Sequence, residues 1–158
     1  MLGGFMQLFM LGTGISLQEP LSIFRLVSHI FGHASLDHLL GNLTFVLLLG
    51  PIVEEKYGSR KMIIMIFLTA LITGILNITL FSTGLMGASG IVFMLILLVS
   101  FTNSNEGEVP ITFILVAVLF IGKEIIQSMN ADNISQFAHI MGGACGSMFG
   151  FLGRKRVV

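Results

Sequence analysis

The chain has 158 residues, of which 54% are hydrophobic and only 10% are charged, and its eight basic residues balance its eight acidic ones. A soluble domain carries about 25% charged residues, so this chain has too few to cover a surface that faces water. The composition excludes an ordinary soluble domain. With no net charge and no long basic run, we expect no nucleic-acid partner.

The longest uncharged stretch runs from Met62 to Asn105, where no Asp, Glu, Lys, Arg or His occurs. It is too long for one membrane span, which needs about 20 residues, and the Ser-Thr-Gly at 82–84 divides it. Membrane spans are either helices or strands of a closed barrel, and barrel strands alternate apolar with polar residues, unlike these runs. The sequence therefore predicts an all-α, polytopic helical membrane bundle.

At the start of the chain, residues 1–35 consist of short apolar segments that are interrupted by glycines and by Pro20. This region is too interrupted to span and is predicted to be an interfacial loop with short amphipathic turns. The rest is predicted to complete a single domain over 1–158. Its five spans are expected at about 36–54, 62–81, 86–102, 110–127 and 133–152, separated by connections rich in charge, Gly, Pro, Asn or Ser.

Basic residues set the expected orientation of these spans. One cluster follows the first span and another follows the last, so four spans separate them and both clusters lie on one face, which the positive-inside rule makes cytoplasmic. The clusters are Lys56, Arg60 and Lys61, and Arg154, Lys155 and Arg156. We expect a multi-pass protein of a bacterial plasma (inner) membrane with a cytoplasmic C-terminus.

Polar residues near the outer ends of three spans indicate a site. His38 and Asn42 on the first, Ser89 on the third and His139 on the fifth lie within about two turns of the outer face. Polar groups in a membrane usually face a cavity or one another. His38 and Asn42, four residues apart, share one helix face. All four are therefore predicted to form a single site.

Glycines on the last span are predicted to bring its helix against the Ser89 helix. The expected stripe, which His139 shares, is Gly143, Gly146 and Gly150, with Gly142 beside it, and such stripes let helix backbones touch. A histidine beside a serine can take its hydroxyl proton and activate the oxygen as a nucleophile. The free amides of the Ser89 helix, with His38 and Asn42, would then face developing negative charge.

The same residues also allow less specific interpretations. Small residues around a serine are common in membrane helices, and a lone histidine can simply bond to a neighbouring helix. The spacing of His29, His33 and His38 could suggest a metal site, but no cysteine or well-placed carboxylate completes one. We expect no metal and no cofactor, and a histidine cluster that ties down the loop. Cys145 is predicted to be a small buried packing residue.

Four short motifs resemble those of the rhomboid intramembrane serine proteases, in the same order, over nearly the whole chain. They are "HASLDHLLGN", "VEEKYGS", "GASG" and "AHIMGG". The resemblance implies that Ser89 is the nucleophile and His139 the base of a Ser-His dyad without an acidic third member. It also implies that His38 and Asn42 form the oxyanion hole.

The chain departs from the family pattern at three places. Phe24-Arg25 stands where the family often has Trp-Arg, and Phe93 stands where a tyrosine often stacks on the catalytic histidine. Phe93 can stack but cannot donate a hydrogen bond. The third departure is in span number, since the family core has six helices and five are readable here. We expect the chain to fold but to be weakly active or inactive, and an apolar span of about 20 residues placed before it to restore cleavage.

The resemblance implies cleavage of a peptide bond in or near the transmembrane helix of another protein. The expected partners are transmembrane protein substrates and the lipid bilayer. One alternative is an inactive rhomboid-like protein that binds membrane proteins without cutting them, although Ser89 and His139 are both present. A transporter or channel is the other alternative, but it would carry polar residues at mid-membrane, whereas here they cluster near one face.

Overall fold

The computed structural model describes residues 8–16, 18–102, 109–128 and 133–153, with the backbone alone at 120–121, 123–128 and 133–135. Within these ranges all regular elements are helical, and one isolated bridge pairs Leu11 with Leu85. The all-α prediction is thus confirmed. The elements are α1 (Pro20–Ser28), a 3₁₀ turn (His29–Phe31), α2 (Leu36–Tyr57), α3 (Ser59–Leu80), α4 (Ser89–Val99), α5 (Ile111–Ser128) and α6 (Asn133–Leu152).

Two helices of the described residues, α2 and α3, are long and apolar enough to cross a membrane. Each has 22 residues, which at about 1.5 Å per residue matches the hydrocarbon thickness of about 30 Å. Gly58 separates the two with a φ of +83°, a conformation that glycine adopts without steric cost. That all five predicted spans cross the membrane stays a prediction.

The third predicted span is much shorter as a helix than the expected 86–102, because α4 has only 11 residues. At its start, Leu85 pairs with Leu11, and Gly87 takes a φ of +128° that a helix cannot contain. At its end, Ser100, Phe101 and Thr102 donate backbone hydrogen bonds three residues back, in the tighter 3₁₀ pattern. A helix of about 16 Å is too short to cross the hydrocarbon layer by itself.

Helix α4 is the centre of the bundle. Met94 and Leu98 have no exposed surface, and α4 packs against α2, α3, α5 and α6. The outer faces of α2 and α3 instead carry exposed apolar side chains such as Leu47 and Ile63. Hydrocarbon accepts such side chains, so this pattern is the one expected of a membrane bundle.

The packing of α4 against α6 depends on glycine, at Gly146 of the predicted stripe and at Gly142, which was predicted to lie beside it. A Cβ at Gly142 would collide with the carbonyl oxygen of Gly90, and one at Gly146 with that of Met94. A Cβ at Gly150 would meet the ring of Phe101. Gly142 is therefore itself a contact position. Successive side chains point about 100° apart around a helix, and two adjacent glycines cannot reveal from sequence which one faces the partner.

The loop region contains a helix that the sequence analysis did not predict. α1 starts with Pro20 in its first turn, where the missing N–H costs no hydrogen bond. It buries Leu26 and exposes Ile23 and Phe24, which agrees with the amphipathic character expected of the region. The upstream segment is fixed by two bonds between Leu11 and Leu85, with N···O distances of 3.0 and 2.9 Å.

Candidate active site

The four residues predicted to form a site line the same open cleft. Its volume is about 390 Å³, large enough for several side chains of a second protein. The lining comes from α2, α4 and α6 and consists of Asp37, His38, Gly41, Asn42, Phe45, Ser89, Val92, Phe93, Ile96 and His139. Helical periodicity accounts for four of the lining residues not predicted from sequence, whereas Asp37 adjoins His38 and lies outside that periodicity. Gly41 and Phe45 lie three residues after His38 and Asn42, and Val92 and Ile96 lie three and seven after Ser89.

Ser89 is the first residue of α4. Ala88 precedes it and has no side chain able to cap the helix, so no side-chain cap bond forms there. The first backbone bond of the helix runs from Val92 N to Ala88 O, at 3.0 Å. The amides ahead of Val92 therefore have no acceptor within the helix. These free N–H groups at the helix N-terminus stabilise negative charge near the serine hydroxyl.

His139 lies where α6 crosses the start of α4. A Cβ at Gly90, the residue after Ser89, would be 3.2 Å from the carbonyl oxygen of Ala138, the residue before His139. The rings of Phe93 and His139 are in contact, with centroids 4.3 Å apart and planes at 38°. The helix that carries Ser89 thus also supplies the ring beside His139, one turn further along.

His38 and Asn42 enter the cleft from the first two turns of α2. Ser35 caps this helix by accepting a hydrogen bond from His38 N at 3.1 Å, as serine commonly does at this position. Asn42 is 8% exposed, and its Nδ2 has no hydrogen-bond partner among the described residues. A buried donor without a partner is costly to maintain.

The histidines of the loop region are held by backbone carbonyls. His29 is buried, and its Nε2 lies 3.1 Å from Ala70 O in α3. A carbonyl oxygen only accepts, so Nε2 carries the hydrogen. Burial lowers the pKa of His29, and the bond to Ala70 partly opposes that effect. His29 ties the 3₁₀ turn to α3, as expected for a histidine that fixes the loop.

Basic residues predicted to mark the cytoplasmic face are only partly described. Lys56 donates to the carbonyl of Thr102, and Ser59 Oγ donates to Glu54 at 2.5 Å. The first contact joins the far end of α2 to the segment just after α4, and the second joins α2 to the start of α3. Lys56 lies 18 residues, or about 27 Å along α2, from His38. The second basic cluster at 154–156 and the connection at 129–132 lie outside the described residues.

Comparison with known protein families matches residues 20–156 to the rhomboid domain. The chain is 25% identical to the rhomboid protease GlpG of Haemophilus influenzae over 141 residues, which are 87% of this chain and 73% of that protein. It is 34% identical to rhomboid-related protein 1 of Caenorhabditis elegans over 147 residues, 85% of this chain and 41% of the relative.

A shorter match to the rhomboid protease GlpG of Salmonella newport has 37% identity over 73 residues, 46% of this chain and 26% of that protein. The chain thus spans less than two thirds of the length of the Caenorhabditis and Salmonella relatives. The domain match nevertheless covers most of the chain, including the four residues predicted to form the site. The chain belongs to the rhomboid family.

Proposed function

We propose that this protein is an intramembrane serine endopeptidase that cleaves transmembrane proteins with a dyad of Ser89 and His139. One observation carries the proposal. Ser89, His139 and two candidate donors, His38 and Asn42, come from three helices and line one cleft. The unpartnered Nδ2 of Asn42 supports it further, because that donor is kept buried without a structural bond among the described residues.

The proposed reaction follows the general scheme of serine acyl transfer. One ring nitrogen of His139 takes the proton of Ser89 Oγ as the oxygen attacks the scissile carbonyl carbon. The new oxyanion is stabilised by Asn42 Nδ2, by a ring N–H of His38 and by the free amides at the start of α4. When the C–N bond breaks, His139 passes its proton to the leaving amine. Water then hydrolyses the acyl-serine by the same path.

The proposed substrates are membrane proteins cut near the outer face. His38 is the third residue of α2 and Lys56 is close to its other end, so the cleft and this basic residue lie at opposite ends of the helix. With the basic end in the cytoplasm, the cleft is near the outer face. Val92, Phe93 and Ile96 give the cleft an apolar wall, which suits a segment leaving the hydrocarbon layer in extended form.

A cleavage assay tests this proposal. The purified chain is reconstituted in liposomes with a reporter that has a single transmembrane helix, and products are located by mass spectrometry. We expect a cut within or beside the reporter helix that disappears with Ser89→Ala. If Ser89→Ala cleaves at the rate of the unsubstituted chain, the nucleophile is wrongly assigned. If the reporter binds equally to both and is cut neither by the chain nor by a version extended with an apolar span of about 20 residues, the protein is a membrane-protein binder.

A further inference from the structure

His33 lies directly behind one of the proposed oxyanion donors. Its ring contacts the ring of His38, with centroids 5.0 Å apart and planes at 73°. His33 is 5% exposed and is not among the residues that line the cleft. It is therefore a buried neighbour of the site, and nothing in the reaction above uses it.

The tautomer of His33 follows from its backbone neighbour. Nδ1 lies 3.3 Å from the carbonyl oxygen of Phe31, and since that oxygen only accepts, Nδ1 carries the hydrogen. Nε2 is then an acceptor in the neutral ring, and it has no partner within the described part of the chain. Burial lowers the pKa of His33, which favours this neutral form at neutral pH.

The other flank of His38 is equally crowded. A Cβ at Gly87 would lie 2.9 Å from His38 Cε1 and 3.1 Å from its Nε2, and the φ of +128° suits glycine alone. Gly87 N also donates to His29 O at 3.0 Å, which joins this turn to the segment that carries His33. The imidazole of His38 is thus held between the ring of His33 and the backbone just before Ser89.

Such confinement matters because the last torsion of a histidine side chain is broad and allows two ring orientations. An oxyanion donor works only when it is held within about 0.5 Å and 10–20° of the productive geometry. We propose that His33 is a positioning residue, which keeps the His38 imidazole at the angle where its N–H faces the oxyanion beside Ser89. This inference rests on the proposed function and identifies what supports one of its donors.

Two substitutions distinguish the effect of the planar ring of His33 from the effect of its side-chain volume. His33→Leu fills the space but has no planar ring, whereas His33→Phe keeps a ring against His38. We expect His33→Leu to lower kcat about tenfold with KM within about twofold, as a small misplacement of a catalytic group does. We expect His33→Phe to stay within about threefold of the unsubstituted kcat. Thermal denaturation in detergent checks that both variants are folded.

A double-mutant cycle with His38 distinguishes positioning from general destabilisation. If His33 acts through His38, adding His33→Leu to His38→Ala should change kcat by less than about twofold. Where turnover is too slow, the labelling rate of Ser89 by a fluorophosphonate serves in the same cycle. A tenfold loss in both backgrounds, or equal activity of the Leu and Phe variants, overturns the role of His33 while the protease assignment stands. Absence of Ser89-dependent cleavage in the unsubstituted chain overturns both.

Discussion

The rings of Phe93 and His139 are in contact, with centroids 4.3 Å apart and planes at 38°. Phe93 is four residues after Ser89, so both face the cleft from the same side of α4. One helix therefore presents the proposed nucleophile and also braces the proposed base. From sequence alone, we could predict only that a phenylalanine at position 93 is able to stack on the histidine.

Phe93→Leu should lower kcat about tenfold with little change in KM, because the imidazole of His139 loses the ring that limits its rotation. Phe93→Tyr, which keeps the ring, should lose much less. Steady-state cleavage of the transmembrane reporter measures both. A drop confined to apparent affinity would indicate that Phe93 contacts substrate and has no role in holding His139.

Gly146→Ala should lower both activity and thermal stability, because its Cβ would collide with the carbonyl oxygen of Met94 in α4. Overpacking costs about 1–3 kcal/mol, equivalent to a fall in Tm of roughly 2–12 °C for a domain of this size. Gly122→Ala in α5 is the matched control, since no atom outside its own helix and chain neighbours lies within 4 Å of a Cβ there. That variant should be as stable as the unsubstituted chain or more so. Equal Tm values for the two variants would contradict the observed packing of α4 and α6.

Asn42→Ala should lower the cleavage activity without lowering the thermal stability of the protein. Removing one oxyanion donor typically costs about 10²–10³ in kcat, and Nδ2 of Asn42 makes no bond among the described residues whose loss would destabilise the fold. We expect kcat to fall by that factor and Tm to stay constant or rise. Asn77→Ala is the stability control, because Asn77 Nδ2 donates to Thr83 O at 2.9 Å and its loss should lower Tm. A lower Tm for Asn42→Ala with unchanged kcat would assign Asn42 a structural role.

Stability should depend on pH through His29. Burial holds its pKa below the ordinary value of 6.5, so near and below pH 6.5 the unfolded chain binds more protons than the folded one. Stability is then greatest above about pH 6.5 and falls with decreasing pH, by at most about 1.4 kcal/mol per pH unit for one group. Tm between pH 7.5 and 5 should fall less steeply in His29→Gln than in the unsubstituted chain. Parallel curves would exclude a protonation of His29 linked to unfolding.

The helix positions were largely predictable, and the relations between helices were not. The predicted spans at 110–127 and 133–152 differ from α5 and α6 by one residue at most, since long apolar runs bounded by turn residues locate a helix well. The 11-residue length of α4 depends on the pairing of Leu85 with Leu11, which are 74 positions apart in sequence. No local pattern contains that contact. The sequence likewise could not indicate how α6 is rotated about its axis, and therefore that Gly142 faces α4.

The four residues of the candidate site could be identified from sequence because polar side chains are rare in these helices. Sequence spacing placed His38, Asn42, Ser89 and His139 at one level, and the structure brings them to one cleft. The contact of His33 with His38 could not be read from their spacing. It depends on the path of residues 32–35 between the 3₁₀ turn and α2, which turns the two rings toward each other.

Labelling by a fluorophosphonate in detergent tests the central claim most directly, because it reports an activated serine without requiring knowledge of the substrate. We expect one labelled residue, Ser89, with no labelling of Ser89→Ala and labelling slowed about 10²–10⁴-fold in His139→Ala. His139→Ala must remain folded, as judged by its Tm. Equal labelling of the unsubstituted chain and Ser89→Ala, or no dependence on His139, would contradict the dyad.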